Sequence, residues 1–224
     1  MGERQGVDLV RDEEPAYAGG WTPSSRDRAA LGELDLDGAT DETLREAARI
    51  PGLGVLRARG EFTDAGVGAL RGMTGLTVLT LESPLLEGGC ALPAARLRSV
   101  CLAGERLTDR SLRMLGLHPG LETVRLAAGR ADGTGLCWLP PGLRTLYLRL
   151  PRLAPESLDV LSQLPYLASL TFSGTAPTPR LVSRLVRHAG RLARVDFLGV
   201  EQPPPELLRA LAEAGIKVNA ALPV

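Results

Sequence analysis

Residues 53–81 read LGVLRARGEFTDAGVGALRGMTGLTVLTL. The stretch opens on LGVLRA and closes on LTVLTL, two versions of one apolar signature, L-x-x-L-x-L, whose starts lie at Leu53 and Leu76. Each version alternates apolar with polar residues, which predicts a short strand with one buried face. Between them Thr63-Asp64 supplies a helix start, and Val67 falls on the inward side of the turn that follows. The unit is therefore strand, helical arch, strand.

The signature, with Val, Ala or Phe allowed at its apolar positions, occurs eight times, beginning at Leu31, Leu53, Leu76, Leu97, Leu121, Leu143, Leu167 and Leu192. Successive starts differ by 22, 23, 21, 24, 22, 24 and 25 residues. Self-similarity at this period marks a repeat architecture, and it outranks any local reading of the chain. Thr40-Asp41 and Thr108-Asp109 repeat the helix start, with Leu44 and Leu112 inward. Pro155-Glu156, Pro179 and Pro205-Glu206 open later arches, as suits a first helical turn. Two connections differ. Pro84, Gly88, Gly89 and Pro93 in residues 83–96, and Gly129, Gly133, Gly135 and Pro140-Pro141 in residues 129–142, predict extended or 3₁₀ segments.

Strands joined by such arches stack as a parallel sheet on one side with the arches on the other. The expected fold is an α/β curved solenoid, with the sheet on the concave face and helices and irregular arches on the convex face. Residues 1–30 lack the repeat and are expected to form a cap or arm. Residues 31–200 hold the eight repeats, and residues 201–224 a C-terminal cap. In that cap ELLRALAEAG predicts a helix and IKVNA an edge strand, with Ile216 and Val218 inward. Lys217, the sole lysine in the chain, would face outward and guard that edge against pairing.

The pattern resembles the leucine-rich repeat superfamily. Its T-D-x-x-L helix starts, best seen in Thr63-Asp64-Ala65-Gly66-Val67-Gly68-Ala69-Leu70, are similar to the ribonuclease-inhibitor-like and bacterial GALA-type subclasses. The resemblance covers residues 31–200 and implies a protein-binding module. One departure bears on the backbone. The ninth repeat position, usually Asn or Cys, holds Ala39, Glu61, Pro84, Glu105, Gly129, Pro151, Thr175 and Val200. Without an asparagine ladder, the turn after each strand must satisfy its polar groups some other way.

Acidic and basic residues balance at 26 each, so no overall field draws the chain to nucleic acid or anionic membrane. Aromatics at 4 % are too few for a base-stacking platform. Cys90, Cys101 and Cys137 form neither a disulfide framework nor a zinc pattern and suit a reducing compartment. MGERQGVDLVRDEEP has no apolar h-region, and no apolar run approaches a membrane span. Cytoplasm is the expected location. The arginine, alanine and glycine bias points to a bacterial gene.

Catalytic candidates are thin. His118 lies in a helix-to-strand connection, and His188 in the last turn of a helix, where the helix dipole favours a cation. Cys101 is expected on the concave face between Thr80 and Arg125. Arg125 would lower its thiol pKa, but no histidine base is near. Gly66-x-Gly68 and Gly133-x-Gly135 are fragments of a dinucleotide fingerprint without its third glycine. Trp138, at a convex position, is either a partner anchor or packs on its own arch. No cofactor, metal or catalytic residue is assigned.

The concave lane carries the binding expectation. The fifth repeat position runs Asp35, Arg57, Thr80, Cys101, Arg125, Tyr147, Thr171, Asp196, and the seventh adds Asp37, Arg59, Glu82 and Arg149. Arg and Tyr on rigid strands are the residue types that dominate interface energies. Arg57, Arg59, Arg125, Tyr147, Arg149 and Asp196 are the expected partner-binding residues. Residues 31–65 hold eight acidic and four basic residues, whereas residues 180–209 hold six basic and three acidic. This polarity could orient a partner protein or neighbouring copies, so self-association stays open. The expected function is a non-enzymatic interaction module acting as inhibitor, scaffold or adaptor. The alternatives are a substrate-recognition subunit of an enzyme or effector complex, and a small-ligand or glycan receptor, which would call for more concave aromatics.

Overall fold

In the computed structural model, residues 32–93, 96–188, 191–200 and 204–221 are described. They form one nine-stranded sheet in which every neighbouring pair is parallel and spatial order follows chain order. The strands are β1 (Gly32–Ala39), β2 (Leu53–Gly60), β3 (Val78–Glu82), β4 (Ser99–Gly104) and β5 (Thr123–Ala128). The sheet continues through β6 (Thr145–Arg149), β7 (Ser169–Ser173), β8 (Arg194–Leu198) and β9 (Lys217–Ala221). At about 4.8 Å between neighbours, nine strands extend roughly 38 Å.

Register follows the repeat without slipping in the middle of the sheet. Leu34, Leu56, Leu79, Val100, Val124, Leu146, Leu170, Val195 and Val218 pair strand to strand in one row. From Leu56 to Val195 this row is sealed from solvent against the arches. The first leucine of each signature, Leu53 through Leu192, is buried beneath them as well. Near the C-terminal end Phe172 and Phe197 stack with ring centroids 5.4 Å apart. Ile216 is buried, Val218 packs on the core, and Lys217 is exposed. The expected cap of residues 1–30 lies outside the described residues, as does Leu31.

The arches are helical to different degrees. Five contain α-helix: α1 (Asp41–Ala47), α2 (Asp64–Ala69), α3 (Arg113–Gly116), α4 (Pro179–Arg187) and α5 (Pro205–Glu213). Thr40 closes a capping box with Thr43, Thr63 caps Ala65, and Thr178 caps Leu181. The expected helix at Thr108 starts instead as 3₁₀ (Asp109–Leu112), and the one at Pro155 is 3₁₀ throughout (Pro155–Gln163). The 3₁₀ form rises about 2.0 Å per residue against 1.5 Å for α, so one turn spans more of the arch. Ala154, before Pro155, offers no capping side chain, unlike Thr178 before Pro179. The two Pro/Gly-rich connections behave as expected: residues 83–93 form no helix, and Thr134–Trp138 is 3₁₀.

The missing asparagine ladder is replaced by aspartates that reach across arches. Asp41 accepts from the Thr63 N–H (2.7 Å), the Thr63 hydroxyl (2.8 Å) and the Gly66 N–H (3.2 Å). Asp64 accepts from Glu87, Gly88 and Gly89 N–H at 3.3, 2.9 and 2.6 Å. Asp109 accepts from Asp132, Gly133 and Gly135 N–H at 2.8, 2.9 and 2.8 Å. In each Thr-Asp pair, threonine serves its own turn and aspartate serves the next arch. Asp41 is held below its ordinary value, first by the Thr63 amide.

These bonds explain the glycines. A Cβ on Gly66 would sit 2.5 Å from Asp41 Oδ1, and one on Gly135 would sit 2.3 Å from the Asp109 carbonyl oxygen. Gly66-x-Gly68 thus holds one glycine that lets two arches touch, and Gly133-x-Gly135 holds two, since a Cβ on Gly133 would lie 2.4 Å from Ser157 Oγ. That close approach accounts for the fragments without a nucleotide.

Candidate binding surface

Alternation along each strand gives the sheet one face buried under the arches and one open face. The open face carries the fifth-position lane in unbroken register, Asp35, Arg57, Thr80, Cys101, Arg125, Tyr147, Thr171, Asp196, Asn219. Beside it runs the seventh-position lane, where Asp37, Arg59, Glu82, Ala103, Ala127 and Arg149 pair across β1 to β6.

The six expected binding residues separate into three places. Arg57 on β2 is committed within the sheet. Its guanidinium bonds Glu33 and, at 3.2 Å, Asp35, both from β1. Burial opposes its charge, but these two carboxylates outweigh burial and raise its pKa. Arg59 stands half-exposed beside Glu82, 3.4 Å away. At the far end Asp196 is only 7 % exposed, and Arg194 Nε donates to its two oxygens at 2.9 and 2.8 Å. Arg194 sits two residues earlier on the same face, so the pair closes on itself. Asp196 therefore offers a partner little uncommitted acceptor.

The remaining three meet in the middle. The Arg125 guanidinium lies over the Tyr147 ring, 4.9 Å from its centroid. Stacking of this kind fixes both side chains. Arg149 follows Tyr147 on β6, and its cross-strand neighbour on β5 is Ala127, itself beside Ala103 on β4. Small residues thus border the Arg–Tyr stack, Ala103 buried and Ala127 half-buried. Strand spacing puts β2 about 14 Å from β5 and β8 about 10 Å from β6, so Arg57, Arg59 and Asp196 flank this centre rather than join it.

The catalytic candidates change character. Cys101 lies between Thr80 and Arg125 as the alternation predicts, but burial pushes its thiol up to about 12, outweighing the pull of Arg125. The expected lowering does not occur, and the group is no nucleophile near neutral pH. His188 is not the dipole-favoured cation expected of it. Burial lowers its pKa, and its Nε2 is shielded with no hydrogen-bond partner among the described residues. His118 is buried in the same condition. Among the described residues no group of three His, Cys, Asp or Glu side chains could hold a metal ion. Among the same residues no helix is long and apolar enough to cross a membrane.

Two features escaped the sequence reading. Arg194 could have been found as the partner of Asp196, since i and i+2 share one face of a strand. The arginines of the arches carry no periodic signal, because the arches lack a common secondary structure to set their facing. No family model matches the chain, and no curated protein matches it.

Proposed function

We propose that this chain is a leucine-rich repeat solenoid that acts, without catalysis of its own, as a binding module for a partner protein engaged by its open sheet face. The observation that carries the reading is the stacked Arg125–Tyr147 pair at the centre of a nine-strand lane. A rigid aromatic and a planar multidentate cation, already ordered, lose little conformational entropy on association. Charge at the flanks, acidic toward β1 and basic toward β8, would orient that partner along the solenoid rather than bind it tightly. Three free cysteines fit the reducing interior of a cell as the place of action.

The epitope that suits this centre is acidic with an apolar element. A partner recovered by pull-down and measured by surface plasmon resonance against Tyr147→Ala/Arg149→Ala tests the reading, because both side chains lie on the open face and outside the core.

A further inference from the structure

We propose a second binding site on the arch side, a groove that takes a short acidic peptide segment carrying an apolar side chain. The groove encloses about 1140 Å³ and crosses four successive arches, those after β2, β3, β4 and β5. Arg106, Arg110, Arg113 and Arg130 line it, against the acidic residues Asp64 and Glu87. Asp64 already holds three amides of the neighbouring arch, and Glu87 pairs with Arg106 at 3.6 Å. Among the described residues no ion pair engages the guanidinium of Arg110 or Arg130. The groove thus presents a surplus of exposed cationic donors in a chain whose net charge is zero.

Its apolar part is as specific. Leu117 is 70 % exposed and Trp138 45 % exposed, and both line the groove. The Arg113 guanidinium lies 4.7 Å from the Trp138 ring centroid, so its donors are already oriented. Trp138 is therefore not packed away on its own arch. Its counterpart in the next arch, Val160, is buried. An exposed tryptophan under an arginine pairs an apolar contact with a carboxylate donor.

Length selects the ligand. Four arches span three strand spacings, about 14 Å, which an extended peptide covers with roughly four or five residues. That accommodates two or three carboxylates around one apolar side chain. A nucleic acid gains its affinity from a longer phosphate track, which four arginines on two arches do not supply. The site shares no residue with the open-face centre, so either can fail without the other.

The test uses the full chain and a fluorescein-labelled peptide, Glu-Asp-Leu-Glu-Asp-Leu, followed by anisotropy at low salt. Arg110→Glu/Arg130→Glu should weaken binding by roughly tenfold or more, and Trp138→Ala by several fold. The neutral peptide Gln-Asn-Leu-Gln-Asn-Leu should bind at least about tenfold more weakly. Tyr147→Ala/Arg149→Ala should leave peptide binding unchanged. Thermal melts establish that the variants are folded; if the charge reversal is not, Arg110→Gln/Arg130→Gln takes its place with the same direction of effect. Four outcomes each overturn the proposal: no binding of the acidic peptide, equal binding of the neutral one, indifference to the arginine variants, or stronger competition by a short oligothymidylate than by unlabelled peptide.

Discussion

Asp109 and Gly135, on successive arches, are joined by a 2.8 Å hydrogen bond from the glycine amide to the aspartate carboxylate. The same glycine approaches so closely that a methyl group there would lie 2.3 Å from the Asp109 carbonyl oxygen. One contact thus fixes both residue types. Asp109→Ala strips acceptors from three amides and should cost about 2–3 kcal/mol. Gly135→Ala must push two backbones apart and should cost at least as much, about 2–3 kcal/mol. Chemical denaturation of both variants checks this. Equal stability to the parent chain would remove the aspartate ladder from the account.

Leu146 sits mid-row and is 1 % exposed. Leu146→Asp buries a charge with no partner and should destabilise by several kcal/mol, about 3–5, or prevent folding. Tyr147→Ala, its neighbour on the opposite face, should change stability by no more than about 1 kcal/mol. Comparison of the two midpoints in urea tests the assignment of faces directly.

This alternation was legible because the leucine signature has a period of two within the strand and a near-constant period between strands. Register, strand count and the inward row all follow from Leu53, Leu76 and their equivalents. Cross-arch chemistry was not legible. A capping template reads Thr108-Asp109 against its own helix, whereas Asp109 acts twenty-odd residues later on Gly133 and Gly135. The choice between α and 3₁₀ at Pro155 was hidden for a related reason, since both satisfy the same starting residues. On the open face, the lane was readable but the commitments of its members were not. Arg57 and Asp196 are occupied by Glu33 and Arg194, residues of the third-position lane.

Acid should destabilise the fold in two stages. Burial lowers His118 and His188 below their ordinary 6.5. The unfolded chain therefore takes up these protons first, and stability declines as pH falls below about 6.5. Asp41, held down by the Thr63 amide, is below its ordinary 3.8. Its contribution is complete above that value and is lost as pH falls further through the folded-state value. Melting temperatures from pH 8 to 3 should show both declines, and His118→Gln/His188→Gln should remove the upper one. A pH-independent melt between 7 and 5 would contradict the lowered pKa values of the two histidines.

The cysteines should differ in reactivity. Burial raises Cys101 to about 12 and Cys90 to about 11, whereas Cys137 is exposed. Iodoacetamide at pH 7.5 should modify Cys137 first, with Cys101 slowest in the folded chain, as peptide mass mapping over time would show. Rapid labelling of Cys101 would mean an activated thiol on the open face and would reopen a covalent role for it.

In the proposed function the Arg125–Tyr147 stack and Arg149 form the core of a protein-binding face. The most direct measurement is the affinity of the pulled-down partner for Tyr147→Ala/Arg149→Ala, by surface plasmon resonance, with the flanking variant Arg59→Ala alongside. A loss of at least ~2 kcal/mol, about thirtyfold in Kd, is expected for the double variant, expressed mainly as faster dissociation. Arg59→Ala should act mainly on the association rate and its salt dependence. Unchanged affinity in the double variant, with a folded chain and with binding lost instead on Trp138→Ala, would contradict the account and move recognition to the arches.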